Sequence, residues 1–219
     1  MEKLRIYNVK WTSHSAGPST DGNKRTEIFL AGCKRAEEGN PCKGCFNPSL
    51  WKSDSYFGLS SPEEALRNIK KNAHNRYITF VGGEPLDQLN PLSELCRLLK
   101  EAGYHIIVIT HYTLSEQKDM MNEDNKDSWC KLWNNIDIMI DGEYREEERI
   151  WDSEKAGDGL HDVIGSGNQV IWDFKGWRDT DFKDMYGCPA GNLEGLYMNN
   201  NDDFVYILKN EPEYIQSEG

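Results

Sequence analysis

Three cysteines in one short stretch carry the first chemical signal: Cys33, Cys42 and Cys45, spaced C-x8-C-x2-C. A two-residue gap brings two thiolates onto one metal or cluster, and the Gly- and Pro-containing loop from Lys34 to Pro41 can return the remaining sulfur. Thiolates are the ligands of iron–sulfur clusters, and soft sulfur suits zinc as well. Structural zinc is usually satisfied by four ligands; no fourth lies nearby in sequence, and His14 or Cys188 would have to supply it. From this loop by itself, an iron–sulfur centre and a non-catalytic zinc-binding interaction module both stay open. Cys96, between Leu95 and Arg97, and Cys130, between Trp129 and Lys131, fall on apolar helical patterns and are expected to be small core residues. Cys188 reads as a structural or incidental thiol.

Such sulfurs need a framework. Residues 26–31 read as a buried strand ending at Gly32-Cys33, and residues 61–73 as a helix capped by Ser60 or Ser61, with Pro62 in its first turn. A strand over 77–81 follows, then a helix over 90–102 with Leu92, Leu95, Leu98 and Leu99 on one face, and a strand over 105–110. A polar helical stretch covers 114–134, and further strands are expected at 136–140 and 169–174. Short apolar strands alternating with helices predict an α/β fold with a mostly parallel sheet. Ligands of such sheets gather at the carboxyl ends of the strands. Gly32-Cys33, Gly82-Gly83-Glu84-Pro85, Thr110-His111-Tyr112 and Asp141-Gly142 all fall on that rim. Each of these strings also has a bland reading, as a strand-end turn.

Composition narrows the partners. The chain has 219 residues, a net charge of −12 and a sequence pI near 4.9. That balance argues against a nucleic-acid backbone, whose binding needs clustered Lys and Arg. The apolar runs are too short to cross a bilayer, and the N-terminal residues do not read as a secretory signal, so a cytoplasmic address and no membrane contact are expected. With 37% hydrophobic and 11% aromatic residues the chain can bury a core. The expected division is one domain over 1–175 and a C-terminal extension over 176–219, packed on the same domain and ending in an acidic tail. In the extension, residues 205–208 read as a strand and 199–202 as its turn, forming a small hairpin or cap.

The motifs arrive in a recognisable order. After Gly32-Cys33 come Cys42-x2-Cys45-Phe46-Asn47-Pro48-x-x-Trp51, Val81 to Leu86 (VGGEPL), Ile109 to Leu114 (ITHYTL), Ile140 to Tyr144 (IDGEY) and Gly165 to Val170 (GSGNQV), with a weaker Asp21-Gly22 upstream. Over roughly residues 20–173 this resembles the radical S-adenosylmethionine (SAM) superfamily. Within it, the pattern is similar to the activases of glycyl-radical enzymes such as anaerobic (class III) ribonucleotide reductase. The resemblance implies an incomplete (β/α)6, TIM-like barrel whose open side admits a protein substrate. It implies a [4Fe–4S] cluster on Cys33, Cys42 and Cys45, with SAM chelating the fourth iron. Reductive cleavage of SAM would give a 5′-deoxyadenosyl radical that abstracts a glycine Cα hydrogen from the partner, and a flavodoxin- or ferredoxin-type donor would supply the electron. By the same resemblance Gly82, Gly83, Glu84 and Pro85 hold the methionine end of SAM, with Glu84 facing its ammonium. Phe46, Asn47 and Thr110 line that pocket, and Asp141, Asn168 and Gln169 sit at the mouth where adenosine and substrate meet. No catalytic side chain is expected beyond the cluster and SAM.

Two departures stand out. The family's first cysteine gap is ordinarily three residues, so about five extra residues, near Arg35 to Gly39, must loop out while Cys33 still reaches the cluster; loop length costs little entropy. His111 stands where the family more often has Gly; like the other histidines it reads as surface-exposed or satisfied rather than as a ligand. The enzymatic rival keeps cluster and SAM but acts on a small molecule, as 7-carboxy-7-deazaguanine synthases do; those lack the Phe46 to Trp51 continuation.

Overall fold

The computed structural model describes residues 2–14, 16–17, 19, 24–150 and 164–175, together with the backbone of 193–198 and 204–208. Asp21-Gly22, His161, Cys188 and the expected 199–202 turn lie outside them.

Seven strands form one sheet in the order β3-β1-β2-β4-β5-β6-β7. Its centre is parallel, as the alternation of apolar runs and helices predicts: β2 (Arg25–Leu30), β4 (Tyr77–Gly82), β5 (His105–Ile109) and β6 (Ile138–Asp141) run side by side in register. Each parallel step is made through helix. α2 (Pro62–Asn72) precedes β4, α3 (Leu89–Glu101) precedes β5, and α4 (Leu114–Met120) with α5 (Lys126–Asn135) precedes β6. The flanks correct the mostly parallel expectation. β1 (Leu4–Ser13) pairs antiparallel with both β2 and the short β3 (Gly58–Ser60), and β7 (Val170–Asp173) pairs antiparallel with β6. The fold is thus α/β with a mixed sheet. In the extension, β8 (Leu193–Met198) and β9 (Phe204–Leu208) form the antiparallel hairpin anticipated there.

Local chemistry explains the helix ends. Ser61 accepts the Glu64 N–H while the Glu64 carboxylate accepts the Ser61 N–H, and Pro62 stands at the first helical position of α2. Thr113 and Glu116 repeat the device at α4. The expected helical stretch over 114–134 is two helices. Asn122 Oδ1 accepts from the Asp124 and Asn125 amides, and Asn125 Oδ1 from the Asn122 amide, so side chains divert the backbone into a turn.

The two-residue period of the central strands separates two environments. Ile28, Leu30, Ile78, Phe80, Ile106 and Val108 pack with Leu92, Leu95, Leu99, Trp129, Leu132 and Trp133 into the main core beneath the helices. Phe29 and Val81 belong to the opposite face, with Ile109 packed against them. Cys96 is fully buried in that main core, as expected, whereas Cys130 is exposed. The inward stripe of α5 is Trp129, Leu132 and Trp133, and position 130 points away from it.

Candidate functional site

The rim of the parallel strands is stitched together by backbone. Gly83 N–H donates to Leu30 O at 2.8 Å and Glu84 N–H to Gly32 O at 2.7 Å, so the end of β4 continues onto the turn that carries Cys33. A Cβ on Gly82 would lie 2.2 Å from Leu30 O, and one on Gly83 2.2 Å from Gly32 O. The double glycine is required by this chain-on-chain approach. Beyond Cys33, the extra residues of the long gap fold into a single helical turn, α1 (Lys34–Glu37). Asp87 Oδ2 accepts the Lys34 N–H at 2.6 Å, Glu37 accepts the Ser53 N–H at 2.6 Å, and Arg35 forms an ion pair with Glu143.

On the sheet face opposite the helices lies a cavity of about 390 Å³. One wall carries Cys42, Cys45, Phe46 and Asn47; Gly82, Gly83, Glu84 and Thr110 form the strand-end rim, with His111 beside them; Gln169 and Gly165 close the far side. Phe29, Val81 and Ile109 make an apolar floor. Phe46, 45% exposed, packs against Tyr144 with ring centroids 4.4 Å apart and ring planes tilted by 47°, and both line the cavity. A neighbouring cavity of about 560 Å³ shares His111 and Gly142 with the first and holds Asp141 and Asn168. The residues expected at one mouth are therefore divided between two adjoining cavities. Pro85 is buried behind the rim, where it opens a 3-10 turn.

Several expected ligand-facing side chains are already engaged by protein. Glu84, 1% exposed, accepts from Leu86 N–H at 2.8 Å, Thr110 Oγ1 at 2.7 Å, His111 N–H at 2.9 Å and His111 Nδ1 at 2.6 Å. Two oxygens with about four acceptor positions are then fully used. Burial opposes the His111 imidazolium, yet the adjoining Glu84 and Asp87 carboxylates outweigh it and raise the pKa. Gln169 bridges Gly165 and Ser166 N–H to Gly142 O. Asn168 ties Ser166 Oγ to Glu143 O, and Asp141 accepts the Leu114 N–H at 2.5 Å at the start of α4. Burial pushes the Asp141 carboxyl upward.

Reading by motif missed Lys10 and Glu27. Both line the first cavity, on β1 and β2. Glu27 is 7% exposed; its Oε2 accepts from Ser13 Oγ at 2.8 Å and faces Lys10 Nζ at 3.5 Å, while Lys10 also lies over the Phe29 ring. Burial raises the Glu27 pKa. A charged residue inside the otherwise apolar TEIFLA strand is the signal that could have found it, because a buried carboxylate needs a reason to be there.

The cysteines themselves are free thiols. Cys33 is buried and its pKa is pushed up to about 12 by desolvation; Cys42 is shifted upward for the same reason. Among the described residues no three or more His, Cys, Asp and Glu side chains are grouped to hold a metal ion. A multi-iron cluster takes one thiolate per iron and calls for sulfurs set apart around it. Cys33, Cys42 and Cys45 are three free thiols of the kind such a cluster takes as ligands. Cys42 and Cys45 are joined by a Cys45 N–H to Cys42 O bond of 3.2 Å, and the Trp51 indole donates to Cys45 Sγ at 3.4 Å.

Comparison with known proteins follows the same lines. A family model described as 4Fe-4S single cluster domain matches residues 20–176. The anaerobic ribonucleoside-triphosphate reductase-activating protein of Vibrio cholerae is 29% identical over 166 residues, covering 72% of this chain and 90% of that protein. The pyruvate formate-lyase-activating enzyme of Clostridium pasteurianum is 30% identical over 111 residues, covering 48% of this chain and 42% of the relative. A crystal structure of QueE from Escherichia coli aligns with 51% of this chain and 53% of its own at 20% identity and a TM-score of 0.37. Among the described residues no helix is long and apolar enough to cross a membrane.

Proposed function

Because the chain belongs to the 4Fe-4S single cluster domain family, we propose that it is a radical SAM activase acting on a glycyl-radical enzyme of the anaerobic ribonucleotide reductase kind. In this reading Cys33, Cys42 and Cys45 hold a [4Fe–4S] cluster, leaving one iron for SAM. When bound, the cluster and SAM would supply one-electron reductive cleavage of the sulfonium and hydrogen-atom abstraction from a glycine Cα.

The observation that carries the reading is that Cys42 and Cys45 share one cavity with the Gly82-Gly83-Glu84 rim, to which Cys33 is bonded through its neighbour Gly32. The chain's own residues then have definite tasks. The backbone of Gly82 and Gly83 sets the distance between rim and cysteine loop, and the Glu84 carboxylate locks the ends of β4 and β5 together through Thr110 and His111. Phe29, Val81 and Ile109 exclude water beneath the reacting groups, and Phe46 with Tyr144 limits access from above. Lys10 and Glu27 offer a donor and an acceptor for the main chain of an entering segment. The three parallel crossovers are read as the centre of an incomplete (β/α)6 barrel, whose open side admits that segment.

The test is electron paramagnetic resonance of a mixture of reduced protein, SAM and a candidate glycyl-radical enzyme. The expected result is a glycyl-radical doublet on the partner. SAM cleavage with no radical on any candidate would leave a radical SAM enzyme and remove the activase assignment.

A further inference from the structure

The long cysteine gap raises a physical question: what keeps the sulfurs in place when eight residues separate the first two? The hydrogen bonds locate the answer outside the gap. The Trp51 carbonyl accepts the Cys33 N–H at 2.8 Å, while the Trp51 indole Nε1–H donates to Cys45 Sγ at 3.4 Å. Leu50 O accepts the Gly32 N–H at 2.8 Å alongside. One residue thus clasps the first and last cysteines to each other. The gap itself is a helical turn with local bonds, among them Glu37 N–H to Cys33 O and Asn40 N–H to Arg35 O, and it is anchored outward through Asp87, Ser53 and Glu143.

The indole N–H is a side-chain donor to Cys45 Sγ, so it can be removed without changing the backbone.

We infer that Trp51 is the positioning residue of the cysteine loop and that its indole N–H tunes the reduction of a cluster held there. The inference rests on the cluster assignment above. An N–H donor aimed at a ligand sulfur favours the more negatively charged, reduced state, so it raises the reduction potential.

Trp51→Phe keeps the carbonyl clasp and most of the ring while deleting the donor. In an anaerobic redox titration followed by electron paramagnetic resonance, the reconstituted variant is expected to hold as much iron and sulfide as the wild type. Its reduction equilibrium should be about tenfold less favourable, a midpoint about 59 mV more negative for a one-electron couple. Full iron content with an unchanged midpoint overturns the inference. If Trp51→Phe does not assemble a cluster, replacement of Trp51 by 3-(3-benzothienyl)alanine keeps the bicyclic shape and removes only the N–H. A lowered midpoint there supports tuning, and a wild-type midpoint overturns it. Failure of the cluster assignment is separately visible, because the wild-type protein itself would then take up no iron.

Discussion

Glu84 illustrates how a residue named by motif acquires a role from its contacts. The Gly-Gly-Glu-Pro string lies on the strand-end rim, but the Glu84 carboxylate is 1% exposed and fully engaged by Leu86, Thr110 and His111. Its first duty is to hold two strand ends together. Glu84→Gln turns one acceptor oxygen into a donor opposite these groups and removes the negative charge that faces His111 Nδ1. The expected cost is about 3 kcal/mol in urea unfolding of the cluster-free protein. Unchanged stability would mean that the protein contacts are idle and that the carboxylate is available to a ligand. Lys10 and Glu27 show the converse, since nothing in their spacing marks them as a pair; strand pairing between β1 and β2 brings them together.

At the scale of elements, the parallel centre was readable because each of its strands is a short apolar run followed by helical periodicity. The edges were not. β1 alternates polar and apolar residues, and the Gly17-Pro18 and Asp21-Gly22 turn formers between it and β2 do not specify which strands pair, while β7 has the same apolar character whether it runs parallel or antiparallel. Direction is decided by connections, which side-chain pattern does not encode. The helical stretch at 114–134 was divided by asparagine side chains that compete with the helix ladder, a local effect that periodicity overlooks. Of the site, the three cysteines and the glycine pair were legible from spacing, whereas the split between two cavities depends on where β6 and the 164–170 segment lie. The double glycine gives the element-scale prediction. Gly83→Ala would press a methyl against Gly32 and Leu50 carbonyls, so the cysteine turn must shift away from β4. Overpacking of this sort costs roughly 1–3 kcal/mol, and reconstituted iron content should fall together with thermal stability. Wild-type iron content in the variant would show that β4 does not set the cysteine loop.

For the whole molecule, the sheet divides labour between its faces. Helices α2, α3 and α5 bury the main core on one face, and the other keeps a cavity whose wall is the cysteine loop. The proposed function depends on a small set of sulfurs, which makes the account sharply testable. Iron and sulfide content after anaerobic reconstitution measures the central claim most directly. The account predicts about four irons and four sulfides per chain, lost on replacing Cys33, Cys42 or Cys45 by alanine and retained on replacing Cys96 or Cys130. A colourless protein carrying stoichiometric zinc, or full iron content in the Cys33→Ala, Cys42→Ala and Cys45→Ala variants, would contradict it.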